Sequence, residues 1–274
     1  MSERAHYPPG VPCWVDTLQP DPEAATRFYA ALFGWQIIGP GETPGSPPGK
    51  YFVAQSRGLD VAGIGSLPQR GAPPSAFWNT YVAVDNLDDA CAKAANAGGA
   101  VVVPPTDAPP AGRLAAISDP SGATLSLWEA RDRVGARCVN EPAAWAMSAL
   151  LTHDPEGAKR FYRDVFGWQS DTFTPGGAEV TLFRLPGFVG GEPQQPVPRD
   201  VVAVALPLGA DVPTGVPAHW SVDFWIDDAD AAAAKAGQLG GSAMTPPHDA
   251  PGFRRCVLAD PQGAVFSLSQ LVRF

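Results

Sequence analysis

The chain has 274 residues, 45% of them hydrophobic and 17% charged, a globular balance with enough length for two domains that each bury a core. A net charge of −9 with no basic stripe argues against nucleic acid or an anionic membrane as a partner. No apolar run reaches membrane-spanning length, the first ten residues hold no apolar signal segment, and Cys13, Cys91, Cys138 and Cys256 form no Cys-x-x-Cys pair, so free thiols in the cytoplasm are expected.

A strand is predicted over Cys13–Leu18. Asp21 then offers an N-cap, Pro22 suits the first helical position, and Glu23 meets the positive helix end. Ala25, Phe28, Tyr29 and Leu32 fall on one apolar face, and Gly34 ends the helix. Strands follow at Trp35–Ile38, Tyr51–Gln55 and Val61–Leu67, with Gly39–Gly49 between them read as a loop. Trp78–Val84 is the next strand, rich in aromatic and β-branched residues. A helix over Leu87–Ala97 ends in Gly98-Gly99, and Val101–Val103, Leu114–Ser118 and Ala123–Trp128 complete the half.

Residues 131–143 carry five charges and read as a linker between a first domain, 1–130, and a second, 144–274. The second half repeats the first. Asp154-Pro155-Glu156 leads into Phe161-Tyr162 and ends at Phe166-Gly167-Trp168, as Asp21-Pro22-Glu23 leads into Phe28-Tyr29 and ends at Phe33-Gly34-Trp35. Its strands are predicted at Ala146–Leu151, Trp168–Ser170 and Val180–Leu185, and then at Val201–Leu206 or alternatively Phe188–Gly191. Pro186–Pro198 reads mostly as loop. Trp220–Ile226, a helix over Ala229–Leu239, and strands Ser242–Thr245, Arg255–Ala259 and Ala264–Ser269 close the chain. The turns Asp119-Pro-Ser-Gly122 and Asp260-Pro-Gln-Gly263 precede the last strand of each half. The order β-α-β-β-β therefore occurs four times, an α+β arrangement with helices on one face of each sheet.

This order, with the repeated Asp-Pro-Glu…Phe-Tyr…Phe-Gly-Trp and Asp-Pro-x-Gly-Ala motifs, resembles the vicinal oxygen chelate superfamily of glyoxalases, extradiol dioxygenases and bleomycin resistance proteins. The resemblance runs from about Val11 to Val272 and is nearest to tandem two-domain members. It implies four βαβββ units that pair into two glyoxalase-like cups, each a place for a metal or a ligand.

The resemblance also locates the metal-ligand positions of the family. They fall near Trp14, Asn79 and Ser126 in the first half and near Met147, Ser221 and Ser267 in the second. None is a strong metal ligand. His6, His153, His219 and His248 share no ligand spacing and no repeat partner; His219 alone falls near a cup rim. No metal and no cofactor is expected.

Alternation along strands adds neighbours to these positions. The first cup gains Asp16, Tyr81 and Trp128; the second gains Ala149, Asp223, Trp225 and Ser269. The first composition is that of a small-molecule pocket, an aromatic wall with sparse polar groups, or of a packed core. Asp16 and Asp223 are the candidate catalytic carboxylates, as general bases or as partners of Arg113 or Arg254. Candidate ligand-binding residues are Trp14, Asn79, Tyr81, Arg113, Ser126, Trp128, His219 and Trp225. The expected function is metal-free binding of a small aromatic or polycyclic molecule, in natural-product resistance or biosynthesis, by a monomer or homodimer. The alternative is an enzyme on such a substrate, an isomerase, cyclase or hydroxylase-like protein using a cup carboxylate, or a metal-dependent lyase or dioxygenase with non-standard ligands.

Overall fold

A computed structural model describes residues 3–43, 48–68, 75–177, 179–190, 198–209 and 215–272. The first half contains β1 (Pro12–Gln19), α1 (Pro22–Phe33), β2 (Gln36–Glu42), β3 (Lys50–Ser56), β4 (Leu59–Ser66), β5 (Phe77–Ala83), α2 (Leu87–Asn96), β6 (Ala100–Ala108), β7 (Gly112–Ser118) and β8 (Thr124–Ala130). The second contains β9 (Trp145–Thr152), α3 (Pro155–Phe166), β10 (Gln169–Phe173), β11 (Val180–Arg184), β12 (Val201–Pro207), β13 (His219–Trp225), α4 (Ala229–Gln238), β14 (Ser242–Ala250), β15 (Phe253–Ala259) and β16 (Val265–Leu271).

Each half forms one eight-stranded sheet. The orders are β2-β3-β4-β1-β5-β8-β7-β6 and β10-β11-β12-β9-β13-β16-β15-β14, the same topology twice. The two units of a half join through their first strands, β1 antiparallel to β5 and β9 antiparallel to β13. The result is two curled sheets in tandem, an α+β fold of glyoxalase-like type.

The helices start and stop where their local chemistry says they should. Asp21 accepts the Ala24 N–H at 2.9 Å and Asp154 accepts the Gly157 N–H at 2.8 Å, each satisfying a donor at a helix N-terminus. Gly34 and Gly167 both adopt φ 75°, a left-handed cap that glycine takes without steric cost.

Three expectations need correction. The strand expected to end at Ile38 runs on to Glu42, with a register irregularity between Ile38 and Gly41; Gly39 and Pro40 sit inside it rather than in a loop. Residues 44–47 of that expected loop lie outside the described residues, as do 191–197 of Pro186–Pro198. The edge strands β6 and β14 are far longer than Val101–Val103 and Ser242–Thr245. They continue through Pro104-Pro105 and Pro246-Pro247 because a strand with one unpaired side tolerates a missing N–H, at the cost of two register shifts each. The open choice for the fourth strand of the second half falls on β12, which pairs with both β11 and β9.

The two largest hydrophobic cores lie between the sheets and are shared. One joins Phe28, Tyr29, Phe33 and Trp35 of the first half to Phe224, Phe266 and Leu268 of the second. The other joins Leu87, Ile117 and Leu127 to Phe161, Tyr162, Trp168 and Phe183. Both sheets therefore turn their helix-bearing faces to each other and their other faces outward.

The segment joining the halves lies against the first sheet. Arg131 N–H donates to Ala111 O at one side; Ala136 N–H donates to Cys13 O, and Arg137 and Cys138 N–H to Asp60 O, at the other. All four cysteines are free and buried.

Candidate functional site

Strand register brings the first-cup residues together. Trp14 pairs with Tyr81 and Asp16 with Asn79 across β1 and β5; Tyr81 pairs with Ser126 across β5 and β8. Asp16 is 1% exposed and lies at the centre. Its Oδ1 accepts the Asn79 amide at 2.9 Å, and its Oδ2 accepts the Tyr81 hydroxyl at 2.8 Å and the Tyr51 hydroxyl at 3.0 Å. The Trp14 indole N–H donates to the Tyr51 oxygen at 2.9 Å.

Trp128 closes one side. Its ring meets Tyr81 edge-on with centroids 6.5 Å apart, packs over Gly112, and donates its N–H to Arg133 O at 2.8 Å. Arg133, from the interdomain segment, pairs with Asp60 at 2.8 Å. Trp14, Tyr51, Asn79 and Trp128 are all half-buried, so the wall of the cup meets solvent while its carboxylate does not.

Burial pushes the Asp16 carboxyl above its usual range, against the opposing effect of hydrogen bonds from Asn79, Tyr81 and Tyr51. Burial and the Asp16 charge both raise Tyr51 and Tyr81, so both phenols stay protonated and donate.

Sequence reasoning missed Tyr51. Its ring occupies space that Gly63 and Gly65 leave on the neighbouring strand. A Cβ on Gly63 would stand 2.0 Å from the Tyr51 hydroxyl and 2.9 Å from the Asp16 Cβ. The Gly-x-Gly of β4 is the signal in the sequence, since glycine inside a strand marks a close approach.

The second cup is built differently. Ala149 stands where Asp16 stands in the first, and Asp223 takes the place of Tyr81. Asp223 Oδ1 accepts the Ser269 hydroxyl at 2.8 Å and Arg255 Nη2 at 3.3 Å, and Arg255 Nε donates to Ser269 at 3.0 Å. Burial raises Asp223, and the Arg255 charge and the Ser269 hydrogen bond oppose it. Met147 pairs with Asp223, Ser221 with Ala149, Ser267 with Asp223 and Trp225 with Ser269.

Two arginines expected beside these carboxylates are elsewhere. Arg113 pairs with Asp88 at 3.1 Å and Glu129 at 3.2 Å, and Arg254 with Asp230 and Asp249. Each lies one residue off the cup face of its strand, where Leu114 pairs with Trp128 and Arg255 with Ser269. His219 opens β13 two residues before Ser221, with Nδ1 2.9 Å from Pro217 O. His153 and His248 each meet a backbone carbonyl at an exposed position.

The donor set does not fit the metal of the superfamily. The family positions hold an indole, an amide and a hydroxyl in the first cup, with one carboxylate beside them. Among the described residues, no three His, Cys, Asp or Glu side chains come together.

Two family models match. Residues 14–127 match the Glyoxalase/Bleomycin resistance protein/Dioxygenase superfamily, and residues 149–269 match a glyoxalase-like domain. The chain is 39% identical over 274 residues to the putative glyoxylase CFP32 of Mycobacterium tuberculosis (strain CDC 1551 / Oshkosh), covering 98% of this chain and 97% of that protein. It is 34% identical over 278 residues to the anthracycline biosynthesis protein DnrV of Streptomyces peucetius, covering 97% and 94%. The Mn(II)-bound glyoxalase from Novosphingobium aromaticivorans shares the fold, with a TM-score of 0.62 at 16% identity over 96% of this chain and 82% of that one. Whole-length likeness to curated relatives and a match in each half make the chain a tandem two-domain member of the Glyoxalase/Bleomycin resistance protein/Dioxygenase superfamily.

Proposed function

We propose that the protein is a metal-free small-molecule binding protein that holds an aromatic or polycyclic ligand, a natural product or its precursor, in the first cup. The observation that carries this reading is the half-buried ring wall of Trp14, Tyr51 and Trp128 around a fixed polar centre. Flat apolar surface with few oriented hydrogen bonders suits a planar ligand. The donor set at the family's metal positions supports binding without a metal. The name of the relative DnrV, in anthracycline biosynthesis, supports a polycyclic ligand. A cytoplasmic protein, as monomer or homodimer, is the setting of this reading; among the described residues no helix is long and apolar enough to cross a membrane.

The test is a thermal-shift screen against polycyclic aromatics, because a ligand that binds only the folded state raises the melting temperature by mass action. Plasma mass spectrometry on the same protein should find well under one equivalent of Zn, Ni, Fe or Mn. Stoichiometric metal whose removal abolishes ligand binding would overturn the metal-free reading.

One observation favours a second reading. Asp16 and Asp223 are buried carboxyls held above their usual range, a shift that strengthens a carboxylate as a general base. An isomerase or cyclase using either would consume the compound that stabilises it, and product analysis of the stabilising hits decides between binding and turnover.

A further inference from the structure

We infer, on the basis of the ligand site just proposed, that the first cup selects ligands by the hydrogen-bond donors they carry: it recognises an aromatic hydroxyl or N–H, with Asn79 as the specificity-determining residue and Asp16 as the group that orients it.

The donors of the cup are already directed at the protein. The Tyr51 and Tyr81 hydroxyls and one Asn79 N–H all point at Asp16. The Trp14 N–H points at Tyr51, and the Trp128 N–H at the Arg133 carbonyl. A carboxylate only accepts, so it forces this direction on every group around it. The amide of Asn79 must turn its nitrogen to Asp16, which turns its oxygen away.

The remaining capacity is mostly accepting. Asn79 Oδ1 has no partner among the described residues and its side chain is half-buried. The Tyr51 oxygen, which accepts once from Trp14, has a second lone pair. The cup holds one carboxylate, and Arg133, the cation whose charge acts on Tyr51, is engaged by Asp60. A ligand presenting only acceptors would meet lone pairs and a negative centre; a phenol would meet a ready acceptor.

The second cup pairs its carboxylate with a cation. There Arg255 faces the interior beside Asp223 and Ser269, so a donor-rich group stands where the first cup has Leu114. The two cups therefore carry different polar centres on one chain: among the described residues, a lone carboxylate in the first and a carboxylate–guanidinium pair in the second.

The experiment is calorimetric titration with three naphthalenes of one ring size: 2-naphthol, 2-methoxynaphthalene and naphthalene. Wild-type protein should bind 2-naphthol about three- to tenfold more tightly than 2-methoxynaphthalene, the range expected for one net hydrogen bond. Asn79→Ala should bring that ratio close to one, which locates the preference in the first cup. Asp16→Asn should also lower the ratio, because an amide beside two tyrosines and Asn79 releases at least one hydroxyl to donate. Its melting temperature, measured alongside, identifies any loss due to unfolding, and Asn79→Ala, on the half-buried wall, then decides alone. Equal affinity for 2-naphthol and its methyl ether in the wild type, or a preference that survives Asn79→Ala, overturns the inference and leaves the aromatic site standing. Failure of all three compounds to bind overturns the aromatic site itself and the inference with it.

Discussion

Tyr29, on the first helix of the first half, donates its hydroxyl to Oδ2 of Asp260, 2.8 Å away in the last turn of the second half. Tyr162 and Asp119 repeat the contact in the opposite direction at 3.1 Å. Trp78 and Trp220 each donate to the tyrosine oxygen, so every junction is a buried Trp–Tyr–Asp chain. The two motifs that return most faithfully in the sequence, Phe-Tyr and Asp-Pro-x-Gly, are the two partners of this contact. Asp260 Oδ1 also accepts the N–H groups of Gln262 and Ala264, so one carboxylate shapes the turn and docks the other half. Tyr29→Phe should destabilise the protein by about 1–3 kcal/mol, the cost of a buried carboxyl acceptor losing a donor. Urea unfolding measures it; an unchanged midpoint would mean that the tyrosine contributes only its ring.

The same contact predicts the behaviour of separated halves. Residues 1–130 alone would expose the faces of Tyr29 and Phe33 that Phe266 and Phe224 cover in the whole chain, and the apolar residues that share a core with Phe161 and Tyr162. Apolar surface of that extent does not stay monomeric in water. Each half expressed alone should aggregate or dimerise, and the two co-expressed should reassemble. A monomeric, cooperatively folding residue 1–130 fragment would show that the shared cores are dispensable.

Burial of Asp16 sets a pH dependence whose sign follows from its raised carboxyl. The folded protein binds the Asp16 proton more tightly than the unfolded chain, whose value is near 3.8. This contribution to stability is present in full below that value and declines as pH rises through the folded one. Asp16→Asn does not titrate. Its stability relative to wild type should therefore improve as pH rises from about 4 and level off once the folded carboxyl is ionised, read from urea midpoints across that range. A relative stability that is flat, or that worsens with pH, would mean that the hydrogen bonds from Tyr51, Tyr81 and Asn79 outweigh desolvation.

Gly63 tests whether the network is as tightly built as its distances say. Its backbone is ordinary strand, so alanine is excluded by space alone. Gly63→Ala should cost about 1–3 kcal/mol, as overpacking does. In a Tyr51→Phe background, where the hydroxyl 2.0 Å from the new Cβ is gone, the cost should shrink. Additive costs would show that Tyr51 swings aside freely.

Much of this was legible in the sequence because the signals were local. Asp21, Pro22 and Gly34 set the first helix, and the repeated copy at Asp154, Pro155 and Gly167 set the third. The family resemblance located Trp14, Asn79 and Ser126, and alternation along β1 and β5 then added Asp16 and Tyr81 on the same face. What stayed hidden depended on register between strands. Tyr51 reaches Asp16 from two strands away, and only the pairing of β3 with β4 places it over Gly63 and Gly65. Arg255 rather than Arg254 faces Asp223 because a strand changes face at every residue, so a one-residue shift exchanges the two. The sharing of cores between halves left no mark in periodicity, since an apolar helix face reads the same whichever sheet covers it.

The last prediction separates the cups by their tryptophans. Trp128 is half-buried beside the Tyr81 ring, whereas Trp225 is 7% exposed and pairs with Ser269 next to the Asp223–Arg255 pair. A half-exposed ring offers a face for stacking; a buried one mainly fills space. With a polycyclic ligand from the thermal screen in hand, Trp128→Ala should weaken binding by roughly 1–3 kcal/mol, less than truncation of a fully buried aromatic because part of the ring already meets water. It should cost less stability than Trp225→Ala, since part of its ring already meets water. Trp225→Ala should do the reverse, lowering the unfolding midpoint while changing the dissociation constant little. Calorimetry and urea unfolding on the two variants give four numbers. If Trp225→Ala abolishes binding while Trp128→Ala leaves it unchanged, the ligand occupies the second cup, and the ion pair of Asp223 with Arg255 becomes the polar centre that receives it.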